Sequence, residues 1–239
     1  MLDTVGYIWL ILLGGPVCIA VIVLALPVDV RTRWIVASIL AAWFLFTVFV
    51  AIPGVGPVPS ALPGILIPVL AAACLYLVSP LARRAVAEAN IPFLVGLHAT
   101  RVIGGAFILL HAAGRLSNPF AAVAGWGDLI AAFLAIPAAI IAYRQLAGWE
   151  KWVFAWNVIG FVDFLAAVTL GLTSLPGSSL QVFMEPPGTA LLSDLPWRMI
   201  PFYYVPLFII THIALFVRLW PAISHGDQRR AVKPTPALR

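Results

Sequence analysis

Long apolar runs, each about the length needed to cross a bilayer, follow one another along the whole chain. A transmembrane α-helix takes about 20 mainly apolar residues, because each residue rises ~1.5 Å and the hydrocarbon core is ~30 Å thick. Seven segments reach that length, at roughly 5–26, 33–53, 59–79, 91–113, 119–142, 152–172 and 199–220. Only 10% of the 239 residues are charged and 63% are hydrophobic, against ~25% charged in a typical soluble domain. So few charges could not cover a water-exposed surface, and lipid is the solvent that removes the difficulty. The pattern predicts an all-α fold, a polytopic bundle of about seven transmembrane helices over residues 1–222. The third segment holds Pro63 and Pro68 and is expected to be kinked. The N-terminal Met-Leu-Asp-Thr has no positive stretch and no clear cleavage site, so the first run reads as a retained span.

The cations set an expected orientation. With the N-terminus outside, the cytoplasmic side carries Arg31, Arg33, Arg83, Arg84, Arg144, Lys151, Arg218, Arg229, Arg230, Lys233 and Arg239. The outer side carries only Arg115 and Arg198, and Arg101 lies within a span. Positive charge is retained in the cytoplasm, so this asymmetry predicts an outer N-terminus and a cytoplasmic C-terminus. It also explains the net charge of +5 without a nucleic-acid partner, since no basic helix face or aromatic-basic patch accompanies it. Residues 173–198 read as a long outer loop, an interfacial segment anchored by Phe183, Leu191, Leu192 and Trp197. Residues 223–239 read as a basic, disordered tail that touches anionic lipid. Trp9, Trp34, Trp152, Trp197 and Trp220 fall near predicted span ends, as an interfacial aromatic belt would place them. Cys18 and Cys74 sit inside apolar runs, with no metal or redox spacing.

Polar residues inside spans are costly, at least ~2.5 kcal/mol for a charge at the bilayer centre, and so they point to a partner or a wet cavity. They are His98, Arg101 and His111 in span four, Asp128 in span five, Asn157 and Asp163 in span six, and His212 in span seven. From the helix rise, Arg101, Asp128 and Asp163 each lie about 14–16 Å from a span end, near the midplane. They lie on faces rich in small residues: His98, Arg101 and Gly105; Ala124, Gly125, Asp128 and Ala131; Gly160, Asp163 and Ala167. Small residues let helices approach and exclude lipid from a polar group. A shared pattern, Gly-x-x-Asp, two large apolar residues, then Ala-Ala, recurs at Gly125–Ala132 and Gly160–Ala167 on sequential helices. With both carboxyls ionised such a network is one negative charge in excess, to be met by a proton or a bound cation. It is either a structural salt bridge or part of a site for a ligand, ion or proton.

His98 and His212 are expected at matching depth on facing helices. That leaves two readings: one haem b held axially by both, or hydrogen bonds within the polar network. His111 and His225 cannot hold a second haem, because spans four and seven are antiparallel. A retinal Schiff base is excluded, since span seven has no lysine. No phosphate loop, Ser-His-Asp set or His-Glu-x-x-His occurs. The flanks of Asp128 and Asp163 do not together match an intramembrane aspartyl protease. The residues therefore assign no enzymatic reaction.

The strings His98-Ala-Thr-Arg101-Val-Ile-Gly104, Gly114-Arg-Leu, Phe120-Ala, Gly125-Trp-Gly-Asp128, Gly160-Phe-Val-Asp163, Leu170-Gly171 and Pro201 through Pro206-Leu-Phe-Ile-Ile-Thr-His212 carry a resemblance. Over about residues 95–220 the chain resembles a widespread family of uncharacterised bacterial membrane proteins. The resemblance implies a bacterial inner-membrane setting and no particular activity. From the residues, the first functional expectation is a midplane site for a small solute, ion or proton. It would be formed by Arg101, Asp128 and Asp163, with Asn157, His98 and His212 beside them. The alternatives are a single-haem electron-transfer protein and a non-catalytic subunit that joins a partner, or a second copy, through its small-residue faces.

Overall fold

The computed structural model describes residues 1–52 and 61–231, with side chains described as far as Ser224. The described residues form helices and turns, with no strand. Seven helices are long and apolar enough to span a membrane: α1 (Leu2–Ala25), α2 (Val30–Val50), α3 (Ala61–Val78), α5 (Ile91–Ala112), α6 (Phe120–Tyr143), α7 (Trp149–Thr173) and α8 (Ile200–Ser224). The short helix α4 (Pro80–Glu88) lies between α3 and α5. The chain is thus a multi-pass helical membrane protein, and each expected span coincides with a helix to within a few residues.

Local sequence chemistry sets the helix starts. Asp29 caps α2, its carboxylate accepting from the Thr32 backbone N–H at 3.1 Å and the Thr32 hydroxyl at 2.6 Å. Those bonds hold the Asp29 carboxyl below its ordinary pKa. Ser79 caps α4 by accepting from Ala82 N at 3.2 Å, with Pro80 in the first turn; both are standard helix-start devices. This helix occupies the stretch between the third and fourth expected spans. Asn90 caps α5 in the same way, and its own N–H donates to Ala25 O at 2.8 Å, tying α5 to the end of α1.

α5 and α8 are the most buried spans. α5 packs on α6 and α1, α6 on α7, α7 on α8, and α8 on α3. α2 and α3 lean on the outside, mostly exposed, as lipid-facing helices should be. Between α5 and α8 the main contact is at the Ile91–Leu97 end, and toward the N-terminal end of the bundle they part. Two π-helical stretches mark that wider half, Tyr7–Gly14 in α1 and Ile200–Tyr204 in α8. They are joined by the Tyr204 hydroxyl, which donates to Leu10 O. Gly14 admits that hydroxyl, since a Cβ there would lie 2.7 Å from it.

The segment between α7 and α8 folds back over the N-terminal end of the bundle. Ser117 donates through its hydroxyl to Glu185 O at 2.9 Å and accepts from Gly188 N at 2.9 Å. The Thr189 hydroxyl donates to Gly171 O at 2.8 Å. Trp197 departs from its expected interfacial place. It is 0% exposed, and its indole N–H donates to Asp3 at 2.8 Å. Asp3 also pairs with Arg115 at 3.0 Å. An indole with a carboxylate partner can be buried at little cost, so Trp197 plugs the bundle, whereas Trp34, 70% exposed, stays outside. Phe183 is exposed, while Leu191 and Leu192 pack on the core.

At the other end the last helix continues to Ala231, into the segment read from sequence as a tail, and residues 232–239 lie outside the described residues. The α1–α2 contact depends on Gly15, where a Cβ would meet the Phe44 ring, 2.6 Å from Cζ. Gly15→Val is expected to lower stability by about 1–3 kcal/mol through overpacking, read as a lower unfolding midpoint in detergent. An unchanged midpoint would show that this contact yields freely.

Candidate functional site

Arg101 sits halfway along α5, on a 3₁₀ stretch from His98 to Gly104. Its guanidinium is enclosed by α6 and α7. Nε donates to Asp128 Oδ1 at 2.8 Å, Nη2 donates to Asp163 Oδ2, and Nη1 donates to Gly160 O at 3.4 Å. The guanidinium carbon lies 3.9 Å from the centre of the Phe164 ring, a cation–π contact. The residue is 2% exposed. One cation and two carboxylates therefore meet in one cluster at the middle of the bundle, as the matched depths predict. The fork of a guanidinium suits this, because it can serve several acceptors in one plane while a lysine would supply a point charge.

Glycines make the approach possible. A Cβ on Gly104 would overlap the Asp128 carboxylate, and one on Gly127 would overlap that of Asp163. A Cβ on Gly160 would stand 3.2 Å from Arg101 Nη1 and 2.8 Å from His212 Cε1. The repeated Gly-x-x-Asp pattern is thus partly explained: Gly160 opens space for the guanidinium, whereas Gly125 faces Ile108, 2.7 Å from Cγ1. Gly127, which the repeat does not share, admits the Asp163 carboxylate.

The second polar group lies one turn further toward the Asn90 end. His98 and His212 are both 0% exposed, with ring centres 4.2 Å apart. Neither bonds to the Arg101 cluster. Thr211 donates its hydroxyl hydrogen to Phe208 O at 2.9 Å, so it accepts from His98 Nε2 at 3.0 Å. Asn157 Nδ2 donates to His212 O at 3.1 Å, which turns Asn157 Oδ1 toward His212 Nδ1 at 2.7 Å. This network assigns both tautomers: His98 carries its hydrogen on Nε2 and His212 on Nδ1. Their other nitrogens, His98 Nδ1 and His212 Nε2, have no partner among the described residues. Asn157, Thr211 and the two imidazoles are therefore a packed bridge from α5 and α7 to α8, framed by Trp156 and Phe208.

The two histidines as placed do not fit the expected haem. Axial ligation puts the metal between two imidazole nitrogens at about 2 Å from each, which separates the ring centres by far more than 4.2 Å. A porphyrin plane has no space between these rings, and His98 Nε2 is engaged by Thr211. His111 lies near the end of α5, with Nδ1 2.8 Å from Leu116 O and Nε2 3.0 Å from Asn118 Nδ2.

A feature that span-by-span reading could not reveal is a cavity of about 250 Å³ in the wider half of the bundle. Arg101 and Asp128 stand at its inner end, and Leu175, Thr189, Leu192 and Ser193 line it at the loop end. Its wall along α7 runs from Phe164 to Leu172, about 12 Å at the helical rise, and Leu175 continues it beyond the helix. Trp9, Leu10 and Gly14 of α1 and Ile200 through Phe202 and Tyr204 of α8 face it, so both π-helical stretches contribute, as such segments often do at functional sites. Asp163, His98, His212 and Asn157 do not line it.

A family model described as a domain of unknown function (DUF8737) matches residues 58–220, about two thirds of the chain. That span holds the whole Arg101–Asp128–Asp163 cluster and the histidine bridge, and excludes α1. No curated protein and no solved structure matches the chain.

Removing Arg101 alone would leave two carboxylates buried without their cation. Arg101→Met is expected to cost about 3–5 kcal/mol and to lower the unfolding midpoint sharply. Adding Asp128→Asn and Asp163→Asn to it removes the uncompensated charges and is expected to restore folding. Thermal unfolding of the two variants in the same detergent checks this, and equal instability of both would mean that the cluster is not held together by charge compensation.

Proposed function

We propose that this chain, which belongs to the DUF8737 family, binds a small, largely apolar solute inside the bilayer, its polar end at the Arg101–Asp128 pair. The observation that carries the reading is the cavity of about 250 Å³ that ends on a buried ion pair. At ~30 Å³ per water-sized group, it has room for about eight such groups. Intramembrane ionisable residues usually mark function, and an apolar pocket with a few convergent polar groups is the ordinary form of a small-molecule site.

A solute is favoured over a hydrated ion or a chain of waters. Above the ion pair the wall offers few polar groups, chiefly Thr100, Thr189, Ser193 and Tyr204, and a buried water needs two to four partners. In the orientation set by the cation asymmetry, the loop end of the cavity faces outward, and the protein sits in a bacterial inner membrane. Solute would enter from the outer side, past the segment between α7 and α8. The histidine bridge closes the bundle beyond the ion pair, so binding comes first and translocation would require that bridge to open.

Two experiments test this. Val168→Trp fills the cavity wall, and the protein gently extracted from its own membranes should carry a co-purified small molecule by native mass spectrometry that the variant lacks, with similar unfolding midpoints. Empty spectra from both proteins would sink the reading. For orientation, Ser179→Cys should react with an impermeant maleimide in intact cells and Ala147→Cys only after lysis; the reverse pattern would place the cavity mouth on the inner side.

A further inference from the structure

Resting on the solute-site reading above, we infer that the polar end of the ligand is cationic, and that the site takes an aralkyl or alkyl ammonium compound. The two charges at the cavity's inner end differ in exposure. The Arg101 side chain retains 1% of its surface, while that of Asp128 retains 18%. Arg101 is already engaged through Nε, Nη1 and Nη2. Asp128 gives Oδ1 to Arg101, and no described residue donates to its Oδ2. Both groups line the cavity, and of the two it is Asp128 that keeps acceptor capacity for a ligand.

The charge balance points the same way. With both carboxyls ionised, the pair around one guanidinium leaves the cluster one negative charge in excess, and neither neighbouring histidine bonds to it. An anionic head would approach Arg101 against two like charges in a medium of low dielectric. A cation compensates the excess and accepts the hydrogen-bonding geometry that Asp128 offers, a charge-assisted bond stronger than a neutral one.

The walls suit the same class. The faces and edges of Trp9, Phe107, Phe120, Phe208 and Tyr204 surround the space beyond Asp128. Aromatic walls attract ammonium groups through their ring quadrupoles and bury the attached hydrocarbon. The Phe164 ring shows this contact in use, since Arg101 itself lies against it. A ring or chain of about eight water-sized groups fills the volume, with the ammonium at the midplane and the apolar part toward the loop.

The test compares three molecules of similar size: phenethylammonium, phenethyl alcohol and phenylacetate. Binding to the full-length protein in nanodiscs of zwitterionic lipid is measured calorimetrically, with empty nanodiscs subtracted. The expected result is that the ammonium binds about tenfold or more tightly than the alcohol, and that phenylacetate does not compete. Asp128→Asn should erase the preference for the ammonium, so that ammonium and alcohol bind the variant alike. An alcohol or phenylacetate that binds as well as the ammonium overturns the cationic assignment and leaves the solute site standing. If neither ammonium nor alcohol binds the wild-type protein, and the native protein also carries no co-purified solute, both readings fall. The wild-type comparison needs no variant, so a poorly folding Asp128→Asn does not spare the assignment.

Discussion

A guanidinium in the middle of a bilayer has to be compensated on the spot, and the packing around α5 follows from that requirement. Arg101 cannot reach water from halfway along its helix, so carboxylates are brought to it from α6 and α7. Bringing them close demands that three backbones approach, which is where Gly104, Gly127 and Gly160 enter. Each stands where a methyl group would collide with a charged or polar side chain. The small-residue faces common to membrane helices thus have a particular use here: they create space for charge compensation as well as for close van der Waals contact.

The cluster also divides the bundle into two unlike halves. On the Asn90 side, α5 and α8 meet through the His98–Thr211 and His212–Asn157 bonds and stacked rings. On the N-terminal side the helices part, two π-helical stretches change the facing of their side chains, and a cavity is left. The segment between α7 and α8 lies across that end, held by Ser117, Gly171 and Asp3. One half is closed by polar bonds, and the other holds the cavity. That asymmetry is what a binding site with a floor and a mouth requires, and a structural ion pair alone would not require the empty half.

Several side chains were legible as far as the sequence allowed. Matching depth for Arg101, Asp128 and Asp163 follows from counting residues along helices, and their contact follows once the helices are neighbours. His98 and His212 were set at one level, but depth says nothing of ring separation, and rings 4.2 Å apart leave no space for a porphyrin between them. Trp197 shows the same gap. Its position near a span end agrees with an interfacial belt, yet its burial depends on Asp3, 194 residues away, and no local pattern couples the two. Phe164 was visible beside Asp163, but its role as the surface under Arg101 depends on the rotation of α7.

By itself the sequence determined the solvent, the helical class and the seven runs, because a backbone in lipid must satisfy its own hydrogen bonds and apolar length alone decides which segments can do so. It also determined which residues would be costly in the membrane and at what depth, because a helix rises by a fixed amount per residue. Tertiary structure alone decided which of those residues touch, that the histidines bridge helices with no space for a porphyrin between their rings, and that Arg101 and Asp128 line a cavity that Asp163 does not reach. Those outcomes depend on helix rotation, tilt and separation. They are set by packing between segments far apart in the chain, and a linear hydropathy pattern carries no measure of them.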